Sequence, residues 1–289
     1  MKKKLMALFL AGAMTLSLAA CGGSASSSAA SSEAASSEAA SSEAASSTEE
    51  PITLRIAYMP NYGSLWSLTT AMNKGYFDEA GITVELTEFQ DGPSIIAAME
   101  SGSIDMGYIG QGAHKLCIQG NAKIFALSHV SNGDAVIGGP EVKTLEDLKG
   151  KKVGYSSGTS SEDILKNALE KAGLTINDIT AVDMDASNIV TAMLSGGVDA
   201  CATWSPNSLK ILEEGKDLTK LCDNTTFSDK TVSLASWIVT PSYAEANADK
   251  ILRFTKALFK AMNYAAEDNY EEVAGYVAAQ TKTDETSVY

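Results

Sequence analysis

Ile95-Ile96-Ala97-Ala98-Met99-Glu100-Ser101-Gly102-Ser103-Ile104-Asp105 recurs 94 residues further on as Ile189-Val190-Thr191-Ala192-Met193-Leu194-Ser195-Gly196-Gly197-Val198-Asp199, with six of the eleven positions identical. In each copy an apolar stripe at helical spacing runs into Ser-Gly, a helix stop, and then into a short apolar run beside an Asp. A helix–Gly–strand unit written twice at this distance predicts two similar lobes.

The flanking sequence continues the pattern. Before the first copy, Arg55-Ile56-Ala57-Tyr58 reads as a strand, 64–74 as a helix carrying Leu65, Leu68 and Met72, and Ile82-Thr83-Val84-Glu85-Leu86 as a strand after Gly81. Residues 94–100 make a short helix and 104–109 a third strand. Before the second copy, Lys152-Val153-Gly154-Tyr155 is a strand, and 160–172 a helix with Ile164, Leu165, Ala168, Leu169 and Ala172 as its stripe. Gly173 caps that helix, and 179–184 is the next strand. Strands alternating with helices over short links predict the α/β class, each lobe a mostly parallel sheet flanked by helices. Two crossings join the lobes in this reading. One lies near Ser131-Asn132-Gly133-Asp134, after a strand at 124–130; the other lies near 236–240, ahead of Pro241. The helix at 247–264, with Ile251, Leu258 and Met262 on one face, returns to the first lobe. The expected division is 52–134 with 239–289 in lobe one and 135–238 in lobe two. Thr283-Asp284-Glu285 reads as a further helix start.

The first fifty residues carry no core. Lys2, Lys3 and Lys4 precede an apolar run at 5–18, too short to span a bilayer by itself. The run ends at Leu18-Ala19-Ala20-Cys21, which resembles the bacterial lipoprotein box, in which the Cys is lipidated. Residues 1–20 are therefore expected to be a signal peptide and Cys21 the anchor to the membrane. Residues 21–51, with Ser-Ser-Glu-Ala-Ala repeated at 31–35, 36–40 and 41–45, form a solvated tether.

Composition excludes several functions. The net charge of -14 and the presence of two Arg, Arg55 and Arg253, argue against nucleic acid. Two His and four Cys do not supply a zinc-finger cluster. Gly154-Tyr155-Ser156-Ser157-Gly158 matches G-x-S-x-G, but both His114 and His129 precede Ser156, whereas a nucleophile elbow needs a later His. No catalytic residue, metal or cofactor is expected. Cys117, Cys201 and Cys222 read as small buried hydrophobes, with a 201–222 disulfide left open.

Ligands of open parallel sheets sit beyond the carboxyl ends of the strands. Six loops meet that condition: 59–63, 90–93 and 110–112 in lobe one, and 156–161, 185–187 and 204–206 in lobe two. If the lobes face each other, these loops line one cleft. The candidate ligand-binding residues are Asn61, Tyr62, Asp91, Gly110, Gln111, Ser156, Ser157, Thr159, Ser160, Asp185 and Trp204. The hydroxyls at 156–161 surround a helix N-terminus, which favours an anion; helix capping by Thr159 with Glu162 competes with that reading. Trp204 follows a strand directly and is placed in the cleft, whereas Trp66 and Trp237 are read as core. His114 reads as solvated or capping. Asp91, Asp134 and Asp185 point the other way, toward a cation or polar heterocycle, unless they only cap turns. No Arg falls in the six loops, so an anion would be held by neutral donors.

Further motifs carry a family resemblance. Residues 56–60, Asn73-Lys74-Gly75-Tyr76-Phe77 with Ala80-Gly81-Ile82, Ser101-Gly102 through Gly110, residues 145–154 and Val198-Asp199-Ala200-Cys201-Ala202-Thr203-Trp204 resemble the substrate-binding proteins of nitrate/sulfonate/taurine ABC importers. The same superfamily holds binders of the pyrimidine precursor of thiamine and synthase-like proteins. The resemblance covers about residues 52–265. It implies a periplasmic-binding-protein-like clamshell, extracytoplasmic and monomeric, that docks on an importer permease. It also implies a sulfonate, nitrate or similar anion as ligand. The alternatives are an aminopyrimidine or small cation, or a synthase-like enzyme on the same fold.

Overall fold

The computed structural model describes residues 50–283. The expected signal peptide, the expected lipidation at Cys21, nearly all of the tether, and the helix start at Asp284-Glu285 lie outside the described residues. Among the described residues no helix is long and apolar enough to cross a membrane.

The chain runs β1 (Ile52–Tyr58), α1 (Tyr62–Asn73), α2 (Tyr76–Glu79), β2 (Ile82–Glu88), α3 (Gly92–Glu100), β3 (Met106–Ile109), α4 (His114–Ile118), β4 (Lys123–Ser131). It crosses to β5 (Ala135–Gly138), β6 (Lys152–Tyr155), α5 (Ser160–Lys171), β7 (Thr180–Asp183), α6 (Ala186–Leu194), β8 (Ala200–Thr203), α7 (Asn207–Glu214) and β9 (Thr219–Asp223). It then returns through β10 (Ser233–Val239), α8 (Pro241–Ala246), α9 (Ala248–Ala266) and α10 (Tyr270–Thr281). Two five-stranded sheets result, ordered β2-β1-β3-β10-β4 and β7-β6-β8-β5-β9. The arrangement is a two-lobed α/β clamshell.

The duplication is visible atom by atom. Asp105 accepts from Arg55 N at 2.9 Å, and Asp199 accepts from Lys152 N at 2.8 Å, so the residue just ahead of β3 is tied to β1 and the one just ahead of β8 to β6. Ser64 Oγ accepts from Met59 N at 3.1 Å and Ser161 Oγ from Ser156 N at 3.0 Å. Gly102 and Gly196 stand at φ 77° and 70°, the left-handed conformation that ends α3 and α6 and that residues with a Cβ adopt at a cost.

Each sheet is mixed. β1 pairs in parallel with β2 and β3, and β6 with β7 and β8, as the alternation predicts. The remaining pairings, β3–β10, β10–β4, β5–β8 and β5–β9, are antiparallel. The structure also moves the second crossing. The sequence places residues 233–238 in the second lobe, but β10 lies between β3 and β4 in the first sheet. Packing explains this: Trp237 is fully buried there, edge-on to Tyr108 at 5.8 Å and to Phe254 at 5.6 Å. The chain therefore returns within 224–232.

The first core gathers Leu54, Ile56, Leu65, Leu68, Ile95, Trp237 and Phe254. The second sheet has a core on each face, one around Leu148 and Leu165, the other around Ile137 and Ile189. Cys201 and Cys222 are buried free thiols in strands flanking β5, and Cys117 is also free.

Candidate functional site

Both sheets point their parallel strand ends at a shared cavity of about 820 Å³. Its first wall is the N-terminal part of α1. Asn61 caps that helix, its Oδ1 accepting from Ser64 N at 2.8 Å, so the first-turn N–H groups lie at the cavity. Tyr62 and Trp66, one turn apart on α1, both line it. Trp66 is thus a wall residue rather than pure core. Its Nε1 donates to Ser128 Oγ at 3.3 Å, and that hydroxyl donates to Gly63 O at 3.2 Å, which fixes the indole. Behind it His129 stacks on Tyr108 with centroids 6.2 Å apart. Burial lowers the His129 pKa, and burial, then Asp134, raises that of Tyr108.

The opposite wall comes from the second lobe. Thr159 caps α5, accepting from Ser161 N at 3.2 Å and donating to Ser156 O at 2.8 Å. Ser160 and Trp204 line the cavity beside it, as do Gly110 and Gln111 from the first lobe. Gln111 Oε1 accepts from Leu234 N at 3.1 Å, which turns its amide NH2 free for other partners. Met262, Val277 and Thr281 from α9 and α10 close one side.

Asp134, at the first crossing, is a buried carboxyl in the cavity wall. It is 2% exposed, lines the cavity, and accepts from Ser160 Oγ at 2.6 Å, Asn224 Nδ2 at 2.8 Å and Ser233 Oγ at 3.1 Å. Burial raises its pKa against the pull of those three donors. No cation among the described residues is paired with it. Of the two arginines, Arg55 is bound to Asp105, and Arg253 Nε donates to Ala80 O at 2.9 Å, both away from the cavity. The lining lysine, Lys220, is 2.8 Å from Asp223, whose pKa it helps depress to about 2.

Of the candidate residues, Asn61, Tyr62, Gly110, Gln111, Thr159, Ser160 and Trp204 are brought together. Asp91, Ser156, Ser157 and Asp185 are not in the lining. Asp91 accepts from Ser94 N at 2.7 Å and Asp185 from Asn188 N at 2.8 Å, so both are N-caps of helices. Ser157 Oγ donates to Asp183 at 2.7 Å, and Ser156 is buried behind the turn. His114 is half-buried, its Nε2 has no partner, and burial lowers its pKa. Sequence reasoning passed over Tyr108 and His129 as site residues and weighed Asp134 without placing it there. Among the described residues no group of three or more His, Cys, Asp and Glu is placed to hold a metal.

Residues 65–272 match a family model described as NMT1/THI5 like. A protein of Brucella abortus (strain 2308), named as a binding protein, is 31% identical over 237 residues, 82% of this chain and 74% of that one. The taurine-binding periplasmic protein of Escherichia coli (strain K12) is 25% identical over 63% of this chain and 58% of its own. A Haemophilus influenzae (strain ATCC 51907 / DSM 11121 / KW20 / Rd) protein, named for thiamine biosynthesis, is 31% identical over 46% of this chain and 44% of its own. The alkanesulfonate-binding protein SsuA of Xanthomonas axonopodis pv. citri, solved bound to MOPS, superposes with a TM-score of 0.69 at 24% identity, over 83% of each chain. At that identity the superposition speaks for the clamshell fold.

Proposed function

The chain belongs to the NMT1/THI5-like family, and from that premise we propose that it is the extracytoplasmic solute receptor of an ABC importer. A small polar molecule enters the cavity, bridges the lobes, favours the closed form by its affinity for both walls, and is handed to a permease. The observation that carries this reading is a cavity lined by strand ends and helix starts of both lobes. The reading includes no bond-making step. It also includes the lipid anchor at Cys21, which mass spectrometry of the N-terminal peptide tests: acyl chains on Cys21 support it and an unmodified thiol removes it.

The lining ranks the ligands. First-turn N–H groups of α1 are neutral donors suited to a sulfonate. Asp134, buried and without a cation, disfavours a bare anion and favours an amino or ammonium group. An aminosulfonate of the taurine type satisfies both ends of the cavity, and nitrate satisfies one. Asp134 also favours a second reading, an aminopyrimidine whose amino group meets the carboxylate and whose ring stacks on Trp204 or Tyr62. A thermal-shift panel of taurine, nitrate and an aminopyrimidine tests the proposal, because a ligand bound only by the native state raises the melting temperature. An amino-bearing probe is expected to give the largest rise; a rise with nitrate alone refutes the role given to Asp134.

A further inference from the structure

The two lobes touch where the first lobe has no side chain. Residues 111–113 form one 3-10 turn between β3 and α4, and Gly112 at its centre lies against the start of α5. A Cβ built on Gly112 falls 2.1 Å from Thr159 C and 2.2 Å from Thr159 O. Those are backbone atoms, which no rotamer change moves aside. The Cβ would be roughly 1.4 Å short of ordinary carbon contact. Gly112 is not in the left-handed region, so its own conformation does not require glycine. Clearance from the other lobe does.

A second contact lies one step along. Lys115 Nζ on α4 is 3.4 Å from Glu162 Oε2 on α5. Glu162 is held ready by its own lobe, accepting from Gly158 N at 2.7 Å and from Lys166. The Glu162 side chain is 18% exposed, whereas that of Lys115 is 51% exposed. The lysine is therefore the mobile half of the pair and the carboxylate the fixed half. Pro93 Cγ of the first lobe sits 3.1 Å from the Cβ position of Gly158, between these two contacts.

We infer that Gly112 sets how far the lobes close and that Lys115 with Glu162 is the clasp that keeps a closed population even without solute, which a bound solute then enlarges. Gly112 acts as a positioning residue: it touches the opposite backbone, and through that contact fixes the separation of the two ligand-bearing walls. The inference rests on the receptor reading above, since only a two-walled site depends on closure. A side chain at 112 wedges the turn off Thr159 and moves Gly110 and Gln111, on the same turn, away from Thr159 and Ser160. If the closed population falls to about a tenth, apparent affinity falls roughly tenfold with no ligand contact removed.

Small-angle X-ray scattering of the purified protein without added solute tests this, with melting temperature recorded alongside. Gly112→Val is expected to shift the radius of gyration upward at every salt concentration, and its melting temperature should remain close to the wild type, because neither core is touched. Lys115→Glu places like charges across the gap. It is expected to expand the protein in about 0.01 M salt and to return it toward wild-type dimensions in about 1 M salt, where the screening length falls from about 30 Å to about 3 Å. If Gly112→Val does not fold, Lys115→Glu decides alone. Unchanged scattering for whichever variants fold overturns the inference. Since no ligand is used, that failure leaves the receptor reading intact, whereas failure of the wild type to bind any solute removes that reading.

Discussion

Trp204→Ala separates binding from folding. Trp204 follows β8, is half-buried, lines the cavity, and belongs to none of the buried clusters. Truncating it removes an aromatic wall while leaving both sheets packed. Aromatic anchors at the centre of a desolvated site contribute about 2 to 3 kcal/mol, which corresponds to a loss of roughly 30- to 150-fold in affinity. The consequence for a melting curve can be worked through. A ligand at about 100 times its Kd stabilises the wild type by about 2.7 kcal/mol. For a protein of this size that is roughly 5 to 11 °C. Weaken the ligand about a hundredfold at the same concentration, and the stabilisation falls to about 0.4 kcal/mol, roughly 1 to 2 °C. The assay is differential scanning fluorimetry of both proteins with and without the probe that shifts the wild type most. The expected result is an unchanged melting temperature without ligand and a nearly abolished ligand shift. A full shift in Trp204→Ala removes the residue from the site and refutes the placement of the ligand.

Trp237→Ala is the contrasting case. With its side chain fully buried between Tyr108 and Phe254, its loss should cost about 3 to 5 kcal/mol by chemical denaturation, and a cost below about 1 kcal/mol would contradict its place in the core. Asp91→Ala and Asp185→Ala should each lower stability by about 1 kcal/mol through loss of an N-cap, with no change in solute affinity; a loss of affinity would return those carboxylates to the cleft. Asp134→Asn should change the pH dependence of stability. Burial raises the pKa of the native carboxyl, so its contribution is present below the ordinary carboxyl range and is lost as pH rises through the raised value. The melting temperature of Asp134→Asn minus that of the wild type should therefore increase as pH rises above the ordinary carboxyl range of about 4; a flat difference would show that the carboxyl is not perturbed.

The repeated Ser-Gly stretch carried most of the architecture because a helix stop followed by a strand is local information. Gly102, Gly196, Asp105 and Asp199 do in the structure what their spacing implies. The strand at 233–239 was misassigned because its partners, β3 and β4, are more than a hundred residues upstream, and antiparallel insertion between them leaves no mark on local periodicity. The site divided along the same line. Loop positions such as Asn61, Thr159 and Trp204 follow from the rule that strand ends bind. Asp91 and Asp185 satisfied that rule too, but the rule does not distinguish a carboxylate that caps the next helix from one that faces a ligand. Trp66 was readable in principle, since it stands four residues after Tyr62 on one helix face. Tyr108, His129 and Asp134 depend on how β3, β4 and the crossing meet β10, which only the tertiary structure fixes.

The account stands on Asp134 meeting an amino-bearing solute inside the cleft. Calorimetric titration of taurine and of an aminopyrimidine into the wild type and into Asp134→Asn tests this directly. The prediction is one-to-one binding of at least one probe to the wild type, weakened at least roughly tenfold, about 1.4 kcal/mol, in the variant. Binding of equal strength to both proteins, or no binding of either probe to the wild type, contradicts it.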